Sequence, residues 1–154
     1  MTHKQNIHAT GLVYNGIGVL IRGESGAGKS LLTLALLDHA NLRGINSVLV
    51  GDDRLDIALY DGVLSMFAPL PLQGKIELFG RGIISRAFTP TAPIDLLVDL
   101  VSSPSRMPEE KQFKSELLGK NVPRCPVAKR EIIGLTHQTM IVVQAITDHL
   151  DLTS

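Results

Sequence analysis

The chain has 154 residues, of which 44% are hydrophobic, and its 15 Lys and Arg balance 15 Asp and Glu. That length suits one domain over residues 1–154, and the even charge supplies no basic field for nucleic acid. No segment reaches the ~18 uninterrupted apolar residues of a membrane span, and "MTHKQNIHAT" has no apolar signal core, so a soluble cytoplasmic protein without a membrane partner is expected.

"GLVYNGIGVLIRG" reads as a β-hairpin turning at Asn15-Gly16 and ending at Gly23. After Ser30, "LLTLALLDHANL" places Leu31, Leu34, Ala35 and the run Leu37 to Leu42 at helical spacing, so a helix starts at the glycine loop. "NSVLVGDD" is a short strand that stops on two carboxylates, and "LDIALYDGVLSMFAPL" alternates about an Asp61-Gly62 turn as a second hairpin. "PLPLQGKIELFGRGIISRAF" is punctuated by glycine and reads as an exposed loop flanking a short strand. "IDLLVDLVSS" reads as a buried strand and "SPSRMPEEKQ" as a polar connection. A terminal helix is expected in "THQTMIVVQAITDHL", with Thr136 as N-cap and Met140, Ile141, Val143, Ala145 and Ile146 as its packed face. Hairpins outnumber βαβ units, so the predicted fold is α/β with a mixed, partly antiparallel sheet around a P-loop nucleotide-binding core.

The segment Gly23, Glu24, Ser25, Gly26, Ala27, Gly28, Lys29, Ser30 has the form G-x-x-x-x-G-K-S. Its glycines, Gly23, Gly26 and Gly28, are expected to take positive φ and turn successive N–H groups onto an anion. Lys29 would reach the outer phosphates of a nucleotide, and Ser30 would ligate magnesium. The helix dipole would add positive potential. Chance alone yields this string in a chain of this length with a frequency of about 0.5% on average residue usage. The loop does not decide whether the bound phosphate is cleaved, transferred or sensed. "VLVGDD" resembles a Walker B strand that delivers Asp52 and Asp53 to its carboxyl end, where one carboxylate serves a metal and its neighbour is free to act as a base.

Four segments in order, "IHATGLVYNGIGVLIRGESGAGKSLLTLALL", "GDDRLDI", "GKIELFGRGII" and "SRMPEE", resemble the bifunctional HPr kinase/phosphorylase family in its short form, the catalytic domain alone. The resemblance implies a phosphoenolpyruvate-carboxykinase-like version of the P-loop fold. It also implies transfer of phosphate from ATP, and often from pyrophosphate, to a serine of the phosphocarrier protein HPr, and its removal by inorganic phosphate. By matched motif, Lys29 would bind donor phosphate, Ser30 and Glu77 would hold Mg2+, and Asp53 would exchange the serine proton. His8 would stand at the active site, and the protein would be a homo-oligomer, typically a hexamer. His3, His39, His137 and His149 are assigned no chemistry, and Cys125 reads as an ordinary packed thiol.

The sequence departs from the family at three places. Phe79 stands where the family usually has arginine two residues after its glutamate, while Arg81 brings a positive charge nearby. Arg86 is the candidate for a downstream catalytic arginine. The glycine-arginine-asparagine stretch associated with dephosphorylation is replaced around "EIIGLTHQ". Two further readings stay open: a phosphotransferase with a different acceptor, and a nucleotide-sensing module without turnover.

Overall fold

The structure, a computed structural model, describes residues 3–153; the side chain of His3, and with it the expectation that this histidine carries no chemistry, lies outside the described ones. Strands β1 (His3–Ile7), β2 (Ala9–Tyr14) and β3 (Ile17–Arg22) precede helix α1 (Lys29–Leu42). Then follow β4 (Ser47–Gly51), β5 (Leu55–Tyr60), β6 (Val63–Phe67), β7 (Lys75–Leu78), β8 (Gly82–Ser85), β9 (Thr91–Pro93) and β10 (Leu96–Val101). The chain closes with β11 (Lys114–Leu117), β12 (Lys120–Ala128) and helix α2 (Leu135–Thr153).

A six-stranded mixed sheet runs β11-β12-β10-β3-β2-β4, and a four-stranded antiparallel sheet runs β1-β5-β6-β9. Between them the core alternates with the two-residue period of a strand. Val19 and Ile21 of β3 join the cluster shared with α1 and α2, whereas Leu20 joins the cluster shared with the smaller sheet. The central strands are buried on both faces, which explains why they read as continuous apolar runs. Helices, large sheet and small sheet thus form three layers.

Both hairpins expected from the sequence are present. Asn15-Gly16 (φ 51 and 79) and Asp61-Gly62 (φ 51 and 75) supply the two positive φ angles of a tight turn between right-twisted strands. Helix α1 starts at the loop as predicted and closes on Gly44 (φ 68), with Ile45 N–H reaching the Ala40 carbonyl at 2.9 Å.

Several expectations are corrected. Residues 75–85 are not an open loop: Lys75–Leu78 pairs antiparallel with Gly82–Ser85, and buried Ile76 anchors this hairpin in the helix-side core. The packed face of α1 is Leu32, Leu34, Leu36, Leu37 and Ala40, and Leu42, in the last turn, is exposed. Thr136 is not the cap of α2. The helix begins at Leu135, one residue earlier, and the Gly134 carbonyl accepts the first intrahelical bond from Gln138 N–H at 3.0 Å. The buried residues of α2 are Gln138, Val142 and Ile146, spaced by four, whereas Met140 points to solvent. The buried Gln138 side chain donates from Nε2 to the Ala128 carbonyl at 2.9 Å and docks the helix on β12, while its Oε1 has no partner among the described residues. Cys125 is a buried, free thiol whose pKa burial pushes up to about 12, which suits the expected packed role. No helix among the described residues is long and apolar enough to cross a membrane.

The two sheets approach closely at Gly18. A Cβ there would lie 1.7 Å from the Pro93 carbonyl oxygen, and the Gly18 N–H donates to Asp95 Oδ2 at 2.8 Å. Gly18→Ala is therefore expected to destabilise the fold by at least about 2 kcal/mol, read as a fall in the urea midpoint with little change in slope.

Candidate active site

Strand direction gathers the polar groups at one edge. Strand β2 is antiparallel to both β3 and β4, while β10 runs parallel to β3 and β12 runs parallel to β10. The carboxyl ends of β3, β4, β10 and β12 and the amino end of β2 therefore share one side of the sheet. This is where open α/β sheets place ligands.

The loop after β3 carries positive φ at Gly26 (81°) and Gly28 (103°), and Gly28 stands at the N-cap of α1. Gly23 does not follow the expectation of a positive φ. It is glycine for space, since a Cβ there would lie 3.0 Å from Leu100 Cβ and 3.2 Å from Ala27 Cβ. Lys29 is buried, and its Nζ donates to the Gly23 carbonyl at 2.9 Å and the Glu24 carbonyl at 3.3 Å. The amine thus lies folded against its own loop.

Asp52, just past β4, is the centre of the hydrogen bonding. Its Oδ1 accepts from Ser30 Oγ at 2.6 Å and from Thr10 Oγ1 at 2.9 Å, and its Oδ2 accepts from the Glu77 backbone N–H at 3.0 Å. One carboxylate therefore joins β2, α1 and the β7–β8 hairpin. Asp53 differs from its neighbour. It holds φ 64, a left-handed conformation uncommon for a residue with a side chain, and its N–H donates to Thr10 Oγ1 at 3.3 Å. Its carboxylate is exposed and takes no hydrogen bond from the described residues.

Glu77 is brought beside Asp52 by its backbone, with an exposed side chain, and His8 is exposed on the bend two residues before Thr10. Among the described residues no group of three or more His, Cys, Asp or Glu is placed to hold a metal by itself. The oxygen donors of Ser30, Asp52 and Glu77 fit a hard cation such as magnesium, which takes few protein ligands when phosphates supply the rest. Phe79 and Arg81 occupy the exposed tip of the hairpin, with Phe79 at 79% exposure. Arg86 does not come to the loop. It lines a cleft of about 360 Å³ with Asp38, Asn41 and Ser47 at the other end of α1, a helix of 14 residues and hence about 20 Å.

The family model described as the HPr serine kinase C-terminal domain matches residues 1–150. The chain belongs to that family. It is 41% identical to the HPr kinase/phosphorylase of Clostridium kluyveri over 78 residues, 51% of this chain and 23% of that protein. With the Clostridium novyi enzyme of the same name it shares 45% identity over 69 residues, 45% of this chain and 20% of the relative. The matched segment thus spans less than a quarter of these curated relatives' length. The solved structure of the HPr(Ser) kinase/phosphatase from Coxiella burnetii superposes with a TM-score of 0.76 at 30% identity, covering 97% of this chain and 99% of that one. The α/β architecture is accordingly the phosphoenolpyruvate-carboxykinase-like P-loop fold of the family.

Two groups near this family's loop went unnoticed in the sequence. Thr10 belongs to the "HAT" motif, yet its role as a clamp on Asp52 and Asp53 emerges only from the pairing of β2 with β4. Arg22, the last residue of β3, donates from Nε and Nη2 to Asp99 at 2.8 and 3.0 Å, and Arg124 Nε donates to the same carboxylate at 2.6 Å. This triad joins β3, β10 and β12 immediately before the loop.

Burial pushes the Asp99 carboxyl up, but the hydrogen bonds and charges of Arg22 and Arg124 outweigh it and hold the group below its ordinary value of 3.8. A depressed folded pKa gives stability that is complete above the unfolded value and lost as pH falls through the folded one. Asp99→Asn is expected to cost roughly 1–3 kcal/mol near neutral pH, and the gap to wild type in urea midpoint should narrow below about pH 4. A gap that stays constant on acidification would overturn this.

Proposed function

We propose that residues 1–154 act as one catalytic domain, a cytoplasmic protein-serine kinase that transfers phosphate from ATP, or from pyrophosphate, to a serine of HPr and removes it again by phosphorolysis. The observation that carries this reading is the division of labour between adjacent carboxylates. Asp52 is committed to Ser30 Oγ at 2.6 Å, while the Asp53 carboxylate beside it is exposed and free of hydrogen bonds from the described residues. Phosphoryl transfer asks for positioning, charge neutralisation and one group to manage a hydroxyl proton.

In the forward direction the loop N–H groups and Lys29 hold the outer phosphates; Ser30 with Glu77 would hold magnesium, which would supply neutralisation of phosphate charge. The HPr serine oxygen attacks the γ-phosphorus, the bond to the β-phosphate oxygen breaks to release ADP, and the serine proton passes to Asp53. In reverse, an oxygen of inorganic phosphate attacks the phosphoserine phosphorus. The serine oxygen leaves with the proton from Asp53, and pyrophosphate is the product. His8, on the exposed bend two residues before Thr10, is assigned to the same site by its motif position. Self-association, as a hexamer in the simplest reading, would bring neighbouring subunits to the acceptor. The family resemblance supports these roles, and the juxtaposition of Thr10, Ser30, Asp52 and Glu77 supports their acting at one place.

Labelled ATP and purified HPr test the reading. Serine-phosphorylated HPr is expected, together with its conversion back by inorganic phosphate with release of pyrophosphate. Label transferred only to another acceptor would overturn HPr as substrate, and nucleotide binding without turnover would overturn the enzyme. Asp53→Asn is expected to lower transfer about 100- to 10,000-fold while leaving ATP binding intact, and unchanged transfer would remove Asp53 from its role.

A further inference from the structure

The phosphate loop contains a carboxylate of its own. Glu24 follows Gly23 directly, in a segment expected to gather several negative phosphate charges, and its side chain is 65% exposed. Like charges at such spacing repel. The structure supplies an answer from a distant part of the sequence: Lys129, just past β12, is buried, and its Nζ pairs with Glu24 Oε1. Glu131 Oε1 is more remote, 3.9 Å from the same amine and 73% exposed.

The lysine is held at both ends. Its backbone N–H donates to the Val101 carbonyl at 3.1 Å, which continues the pairing of β12 with β10. The next residue, Arg130, donates its N–H to the Ala27 carbonyl at 3.3 Å inside the loop. Its side-chain methylenes lie so close to Gly28 that a Cβ there would meet them at 3.1–3.2 Å. A long side chain fixed at backbone and ammonium gives up its rotamer freedom in folding, before any ligand arrives.

Resting on the P-loop reading above, we propose that Lys129 is a positioning residue of the phosphate site: it neutralises Glu24 and holds that carboxylate off the incoming anion, so that residues from the β12–α2 connection set the loop's affinity for phosphate. Lys29 contacts the phosphate itself in this scheme, and Lys129 acts through Glu24. The ligand class is a polyphosphate, either a nucleoside triphosphate or inorganic pyrophosphate.

Calorimetric titration with pyrophosphate and magnesium tests it in the full chain. Lys129→Met should weaken pyrophosphate binding about tenfold at low salt, less at high salt, and Lys129→Arg should keep near wild-type affinity. Glu24→Gln alone should tighten binding several-fold, and Glu24→Gln with Lys129→Met should return affinity to within about threefold of wild type. A purely structural lysine would not be rescued by removing its partner, so a double variant as weak as Lys129→Met overturns the proposal, as does wild-type affinity in Lys129→Met. Should Lys129→Met not fold, Glu24→Gln decides, because failure to tighten overturns the proposal too. Lys29→Ala separates the levels: if it binds pyrophosphate as wild type does, the P-loop reading itself fails. If Lys29→Ala loses binding and the Lys129 and Glu24 variants behave as wild type, only the latch fails.

Discussion

The Asp52 carboxylate is the constraint on which the rest of the site depends. It accepts three hydrogen bonds from groups far apart in sequence, the Thr10 and Ser30 hydroxyls and the Glu77 amide. Each bond is worth more than a neutral one because the acceptor is charged, and together they fix where the helix start, the first hairpin and the glycine-rich hairpin meet. Asp53 inherits its position from this arrangement. With Asp52 pinned and Thr10 accepting the Asp53 amide, the backbone turns through a positive φ and sends the second carboxylate outward.

That clamp works because the strands beneath it are fixed independently. Leu20 and Leu97 face the small sheet while Val19, Ile21 and Val98 face the helices, so neither β3 nor β10 can slip by one residue without exchanging its faces. Gly18 and Gly51 allow the layers to close, and a Cβ on Gly51 would meet Leu55 Cδ2 at 2.6 Å and Ala68 Cβ at 2.7 Å. At the carboxyl ends, apolar packing gives way to the Arg22, Asp99 and Arg124 triad. The glycine loop therefore departs from a strand end whose last side chain is already held.

The parts of this structure that were legible in the sequence are those governed by local chemistry. Asn15-Gly16 and Asp61-Gly62 announce their hairpins because asparagine, aspartate and glycine tolerate positive φ. Leu118-Gly119 makes a turn with the same signs of φ (49 and 80) between β11 and β12, but leucine is seldom found there, and the hairpin was missed. Strand β12 was hidden by Pro123 and Pro126, which normally argue against a strand inside a sheet. Pro126 is tolerated because β11 stops pairing at Pro123, leaving β10 as the sole neighbour at that level. The burial of Gln138 and the distance of Arg86 from the loop are tertiary facts. Neither has a signature in spacing or composition, and the same holds for the pairing of Lys129 with Glu24.

The departures from the family pattern acquire a physical meaning once the charges are placed. Replacing a guanidinium by Phe79 removes a cation from the hairpin, and the side chain that stands there is mostly exposed, so no packing requirement accounts for a phenyl ring at that position. Cationic side chains beside the loop stand on the connection after β12, where Lys129 is paired with Glu24. There Lys129 and Arg130 follow β12 and touch Glu24, Ala27 and Gly28. Lys129 and Arg130 directly precede the altered stretch "EIIGLTHQ". A phosphate site must balance its own acidic residue as well as the ligand, and the cation paired with Glu24 stands on the connection between β12 and α2. The loop's own carboxylate thus pairs with a lysine about a hundred residues downstream, which is why the glycine motif by itself says so little about the charges around it.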